Sequence, residues 1–371
     1  MSSPLHIAVT VEQCWHRVPG GTATSAIGSL RALQAHTDLD LVGVSARHSE
    51  PPDRAWRPPV EVRALPLPRP ALYESWHRLR RPAVQRATGP VDVIHATGMA
   101  VPPHSAPLVV TVHDLAFLDD PSLFTPRGVR FFHRCIDLAR RQADLIICPS
   151  QATIDRCVAA GFDAGRLRLV PWGLDGEVVA GAAVSAVRRR FGLERPYVLW
   201  NGTIEPRKNV PVLIEAFGRL ARADVDLVLA GPEGWNEELE RIAGATGSAR
   251  IHRTGFVSEE QLRALHAGAE VFAFPSRVEG FGLPVLEAMA QGTPVVTSAG
   301  TATAEVVGDS DAGLLVPAGD VEALAAALAA LLDDPEDRRR RGKAARERSL
   351  AFSWAATAER LAAVYEEVST T

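Results

Sequence analysis

Short runs rich in Val, Ile and Leu alternate with longer amphipathic stretches along nearly the whole chain. In the first half the runs are His6–Val11, Leu41–Val44, Val60–Ala64, Val91–Ala96, Leu108–His113 and Leu145–Cys148. In the second half they are Tyr197–Trp200, Leu227–Ala230, Arg250–Thr254, Val271–Phe274, Pro294–Thr297 and Gly313–Val316. Many lack polar alternation, the pattern of strands covered on both faces. Helix starts are marked between them. Ser258-Glu259-Glu260-Gln261 has the form of a capping box, ahead of Leu262, Leu265 and His266. Ser150 precedes the stretch Ala152–Ala160, which Gly161 ends. Strand–helix alternation of this kind predicts an α/β fold, a doubly wound, Rossmann-like parallel sheet made twice.

A chain of 371 residues accommodates two such domains. Leu169-Val170-Pro171 reads as a closing strand, followed by the Gly/Ala-rich stretch Gly176–Ala186 and an Arg-rich helix. The expected division is 1–175, 176–354 and a final amphipathic helix within 355–371 that could pack back on the first domain.

The net charge of −4 lacks the basic excess of a duplex-binding surface, so nucleic acid is not expected as a partner. Cys14, Cys135, Cys148 and Cys157 have neither zinc-finger nor redox spacing, and thiols in apolar stretches fit a reducing compartment. Met1–Val11 has no signal-peptide pattern, and the longest apolar run, near Leu324–Leu332, is too short for a membrane span. The expected location is cytoplasmic, with peripheral membrane contact left open. The basic segment Arg338–Arg348 is expected to be a solvated helix face.

Chemistry concentrates in the stretch from Pro275 to Val296. A strand ends at Pro275, a loop carries Glu279, and Pro284 suits the first turn of a helix that Gly292 stops. The backbone N–H groups near Phe281, Gly282 and Leu283 would form an anion site at that helix N-terminus, suited to a diphosphate. Glu279 lies beside it and Glu287 about one turn inside the helix. Carboxylates so near a diphosphate make sense as acceptors for neutral sugar hydroxyls.

Glu279 and Glu287, with seven residues between them in this Gly/Pro setting, resemble the signature of the family-4 retaining glycosyltransferases. The resemblance implies the glycosyltransferase-B architecture, two facing Rossmann-like domains with the active site in the cleft between. It also implies that Glu279 contacts the donor sugar and Glu287 the ribose hydroxyls.

Three further stretches fit that resemblance. Trp200–Asn209 resembles the family loop Gly-x-x-x-x-x-Lys-Asn, which implies diphosphate contacts from Lys208 and close approach at Gly202. Some members carry arginine after that glycine; here it is Thr203, and Arg207 is the candidate to supply the charge. Gly20-Gly21, between the first strand and the helix Ala23–Ala35, lacks dinucleotide spacing and stands where the family places a loop facing donor phosphates and acceptor. His113 ends a buried strand at the ligand edge of the first sheet, and the resemblance implies a donor-sugar role for it. Phe256 and Val257 lie in a segment resembling the loop whose backbone meets the nucleobase. Asp38-Leu39-Asp40 and Asp224-Val225-Asp226 match the metal-binding Asp-x-Asp of other glycosyltransferases, but each directly precedes an apolar strand and reads as structural.

The expected activity is retaining, metal-independent transfer of a hexose-type sugar, mannose among the candidates, from a nucleotide diphosphate sugar to a hydroxyl acceptor. The acceptor class, whether glycan, lipid-linked or small molecule, stays open. A sugar-nucleotide epimerase and a non-catalytic sugar-nucleotide binding module are the alternatives.

Overall fold

A computed structural model describes residues 4–232 and 250–370. Two compact units divide the chain. The first comprises Met1–Gly173 and Phe352–Thr371, the second Leu174–Ala351.

The first unit holds a seven-stranded sheet: β1 (His6–Thr10), β2 (Asp40–Ser45), β3 (Val62–Ala64), β4 (Val93–Ala96), β5 (Leu108–Thr111), β6 (Leu145–Cys148) and β7 (Leu167–Leu169), in the order β3-β2-β1-β4-β5-β6-β7. Every pairing is parallel. β4, β5 and β6 are buried along their whole length, which explains why their sequences show no polar alternation. The order reverses between β1 and β4, the switch point at which such folds bind ligands outside the strand carboxyl ends.

Helix Trp354–Ser369 belongs to this first unit and packs against helix Gly20–His36. Gly28 and Gly173 leave room for Trp354; a Cβ at either would overlap it. Tyr365 Oη lies 2.7 Å from His95 Nδ1, and His95 Nε2 lies 2.8 Å from Thr111 Oγ1, all buried. Arg168 and Glu367 pair at the rim.

The second unit repeats the plan with β8 (Tyr197–Asn201), β9 (Asp226–Ala230), β10 (Ile251–Gly255), β11 (Val271–Phe274), β12 (Val295–Ser298) and β13 (Gly313–Val316), ordered β10-β9-β8-β11-β12-β13 and parallel throughout. Its switch point lies between β8 and β11. Both units are therefore Rossmann-like, the doubly wound class read from the sequence.

The capping box forms as read: Ser258 Oγ accepts from Gln261 N at 3.3 Å, and Gln261 Oε1 accepts from Ser258 N at 3.1 Å. Several local expectations are corrected. The edge strand of the first sheet is Leu167–Leu169, two residues before the expected Leu169–Pro171. Gly20 and Gly21 are the first turn of their helix and not a separate loop, so that helix starts three residues earlier than expected. The Arg-rich segment is not a simple solvated face. Arg338 donates to the Leu331 and Leu332 carbonyls, Arg341 to Gly313 O, and Arg348 to the Glu305 and Val306 carbonyls. A guanidinium fork suits this work, because it satisfies carbonyls at helix ends while its stem packs on apolar surface.

The four cysteines are buried and free; burial pushes Cys14 up to about 12. Among the described residues no helix is long and apolar enough to cross a membrane.

Candidate active site

The loops after β8 and β11 meet at the switch point of the second unit. Asn209, the last residue of the first loop, adopts a left-handed conformation at φ 57° and donates from Nδ2 to Pro275 O at 3.2 Å. Arg277 N donates to Arg207 O at 2.9 Å. These two bonds hold the loops against each other and bring three charged side chains together.

Lys208 Nζ lies 2.6 Å from Glu279 Oε1, and Arg207 Nη1 lies 3.1 Å from Glu279 Oε2. Arg207 Nε in turn pairs with Glu205 Oε1 at 2.6 Å. Lys208 Nζ also stands 4.8 Å from the centre of the Phe274 ring, near enough for cation–π attraction. Lys208 is 7% exposed and Glu279 9%, so both charges sit largely out of water. Burial pushes the Lys208 ammonium below the ordinary lysine range, Arg207 adds to that, and Glu279 and Glu205 oppose it without cancelling it. Burial pushes the Glu279 carboxyl up, but the charges of Lys208 and Arg207 outweigh it and leave the group below the usual carboxylate range. The cluster sets two basic side chains, Lys208 and Arg207, against two carboxyl groups, Glu279 and Glu205.

Three residues past Glu279 the chain turns into helix Leu283–Ala290. Gly282 is its N-cap at φ 106°, where a Cβ would come within 2.6 Å of Thr303 Cγ2. Only glycine fits that backbone and that contact. Val285 and Leu286 both donate back to Gly282 O, at 3.0 and 3.2 Å, and Pro284 has no N–H. The amides of Gly282 and Leu283 are the first-turn donors that no carbonyl within the helix can take. Beneath the β8 loop, Gly231 lies so close to Gly202 that a Cβ there would overlap the Gly202 carbonyl. Glu287, one turn along the helix, is partly exposed and points toward His266, with Oε2 at 3.8 Å from Nε2. Phe256 follows β10 and is 70% exposed, with Val257 beside it.

The first unit has its own switch-point edge. His113 lies two residues beyond β5, which ends at Thr111, so it stands in the loop and not in the strand as expected. Its Nε2 donates to Thr97 O at 2.8 Å, which leaves Nδ1 as the acceptor. Burial lowers this imidazole, with the Thr97 bond and Asp114 opposing, so it is neutral at neutral pH. Asp114 accepts from Ala116 N at 3.1 Å and caps the next turn.

Sequence reasoning did not single out Glu12, Gln13 or Glu205. Glu12 is buried after β1, accepts from Ala46 N at 2.7 Å and meets His48 Nε2 at 2.9 Å. Gln13 donates to Thr97 Oγ1 at 2.7 Å. The signal for Glu205 was its place two residues before Arg207. For Glu12 it was a lone carboxylate directly after an apolar strand.

The second Asp-x-Asp stretch is tied into its own unit by ion pairs. Buried Asp226 starts β9 and is held by Arg195 at 3.3 Å and His252 at 3.1 Å, while Asp224 pairs with Arg222 at 2.7 Å.

Residues 19–178 match the model of Glycosyltransferase Family 4, and residues 186–348 match that of Glycosyl transferases group 1. The O-antigen chain mannosyltransferase B of Escherichia coli is 31% identical over 276 residues, 71% of this chain and 72% of the relative. The chain belongs to glycosyltransferase family 4. The MMP alpha-(1->4)-mannosyltransferase of Mycolicibacterium hassiacum is 33% identical to this glycosyltransferase over 300 residues, 75% of this chain and 71% of the relative. Among solved structures, Anabaena Alr3699/HepE in complex with UDP and glucose superposes with a TM-score of 0.77 at 22% identity, covering 99% of this chain and all (100%) of the other. The sucrose-phosphate synthase of Thermosynechococcus elongatus gives 0.80 at 24% identity, covering 98% of each. These likenesses establish the glycosyltransferase-B fold for the enzyme.

Proposed function

We propose that the enzyme transfers a hexose from a nucleoside diphosphate sugar to a hydroxyl acceptor, with retention at the anomeric carbon and without a metal ion. The observation that carries this reading is the buried Lys208–Glu279–Arg207 cluster beside the Gly282–Leu283 helix N-terminus. Breaking the bond from the anomeric carbon to the donor phosphate oxygen leaves negative charge on the diphosphate. Lys208, Arg207 and the first-turn amides are preorganised to receive it, in a setting where charge interactions are stronger than in water. Protein cations and amides then do what a divalent ion does elsewhere.

Glu279 takes the sugar hydroxyls and Glu287 the ribose hydroxyls. His113, a neutral imidazole with Nδ1 as acceptor, holds a sugar hydroxyl, and Gly20 and Gly21 let substrate approach the first-unit backbone closely. None of these carboxylates is assigned as a nucleophile. The acceptor oxygen attacks from the face the diphosphate leaves, and its proton passes to a donor phosphate oxygen, which gives retention. That two matched relatives are named mannosyltransferases favours mannose as the sugar.

A thermal-shift screen of UDP- and GDP-hexoses identifies the donor, since a tight ligand raises the melting temperature by mass action. Anomeric NMR with that donor and a panel of simple glycosides then reads the reaction. A new α-glycoside together with free nucleoside diphosphate is expected from an α-configured donor. An inverted product removes the retaining mechanism. An epimerised donor makes the chain an epimerase, and binding without turnover makes it a binding module.

A further inference from the structure

His266 is the anomaly of the second unit. It lies on helix Glu259–Gly268, is 1% exposed, and neither ring nitrogen has a hydrogen-bond partner. Its ring packs edge-on against Phe272, with centroids 4.9 Å apart. Buried polar atoms are nearly always bonded, and an exception in a folded chain asks for an explanation. The carboxylate paired with it is Glu287, whose Oε2 stands 3.8 Å from Nε2. That is beyond a hydrogen bond but within one small rotamer adjustment of it. The backbones on either side are already tied, because Thr293 Oγ1, just past the Glu287 helix, donates to the His266 carbonyl at 2.6 Å. The two side chains therefore face each other across a fixed gap, one enclosed and one partly open to solvent.

We propose that His266 is a positioning residue for the nucleotide site: its Nε2–H closes onto Glu287 Oε2 when a nucleoside diphosphate binds, and fixes that carboxylate for a two-point grip on the ribose. A ligand over Glu287 removes water from its open side, and the remaining hydrogen bond strengthens as the local dielectric falls. Both the neutral imidazole with its proton on Nε2 and the imidazolium supply this donor, so the device does not depend on titration. The inference rests on the reading of Glu287 as the ribose ligand.

The test is calorimetric titration of UDP and of GDP into wild type and variants. His266→Gln places an amide nitrogen near the Nε2 position, His266→Asn places one near Nδ1 and short of Glu287, and His266→Phe keeps the ring without a donor. The Phe and Asn variants are expected to bind about tenfold more weakly, the scale of one hydrogen bond to a charged group, and Gln within about threefold of wild type. In a Glu287→Gln background the three substitutions are expected to change affinity no further. Ligand-free melting temperatures separate a purely structural role, which would lower stability without ordering the affinities this way. Should the Phe variant fail to fold, the contrast between Gln and Asn still decides. Wild-type affinity in Phe and Asn, equal losses in Gln and Asn, or undiminished losses in the Glu287→Gln background would each overturn the proposal. If Glu287→Gln alone leaves the affinity unchanged, or neither diphosphate binds wild type, the ribose-ligand reading fails first and the proposal falls with it.

Discussion

Lys208 Nζ sits 2.6 Å from Glu279 Oε1 although 71 residues separate the two in the chain. The contact joins the loop proposed to offer positive charge to a phosphate with the loop proposed to offer acceptors to a sugar. The charge of each partner favours the ionised form of the other in a buried setting, and breaking such a pair leaves an uncompensated charge.

Removing the cation tests its place in the reaction. Lys208→Ala is expected to lower the rate on the order of 10²-fold or more, the scale of losing a preorganised charge-stabilising group. Lys208→Arg should recover only part of it, because a planar fork does not reproduce a point charge. Steady-state kinetics with the identified donor check both, and an alanine variant with the wild-type rate would remove Lys208 from the site.

Alkaline titration gives an independent reading. Because the Lys208 ammonium lies below the ordinary value of 10.5, kcat should begin to fall on an alkaline limb below that pH. Lys208→Arg should abolish the limb, since arginine does not titrate there. The sign for Glu279 is the opposite. Its lowered carboxyl stabilises the fold above the unfolded value and loses that contribution as pH falls through the folded one. The stability gap between wild type and Glu279→Gln should narrow on acidification below about 4.5, as followed by denaturant titration.

The two glutamates should separate by ligand. Glu279→Gln should lower turnover of the full donor at least about tenfold, the scale of one charge-assisted bond, without weakening the free nucleoside diphosphate, because both cations remain. Glu287→Gln should weaken both the donor and the free nucleoside diphosphate by about 1–3 kcal/mol. Calorimetry on both variants decides, and the reverse pattern would exchange their assignments.

Chelation tests the proposed role of the protein cations. Transfer should persist in excess EDTA. Loss of activity that manganese or magnesium restores would show that Lys208 and Arg207 do not suffice.

Most of the architecture could be read before the structure, because doubly wound sheets write themselves as apolar runs at a regular spacing. Val271–Phe274, Leu145–Cys148 and Gly313–Val316 form strands with the expected bounds, and the Ser258 capping box closes as its residues require. The two loops of the candidate site could each be found from glycine, proline and charge. Their union could not, since nothing in local sequence says that Lys208 and Arg207 share one carboxylate. Arg338, Arg341 and Arg348 misled for a related reason. A run of arginines reads as a wet surface until the carbonyls it caps are brought beside it. His266 was hidden by its setting, occupying a position on its helix that an apolar residue could fill.

The internal bond of the last helix offers a stability test. Tyr365→Phe deprives the buried His95 Nδ1 of its partner and is expected to destabilise the first unit by about 1–3 kcal/mol. Denaturant unfolding followed by hydrogen exchange should locate the loss in β4 and β5 while the strands of the second unit keep their protection. Equal loss in both units would contradict that assignment.

Helix Trp354–Ser369 also sets an order of assembly during synthesis. As the ribosome extends the chain, residues 174–351 emerge complete and can fold in one piece, although they come second. The earlier segment must wait with Gly28 and Gly173 facing an unfilled slot and His95 lacking the tyrosine hydroxyl, until residues 352–371 arrive. A released chain truncated before Trp354 would therefore carry a complete second unit tethered to a first unit with that slot unfilled, and limited proteolysis of such a chain should spare the second unit.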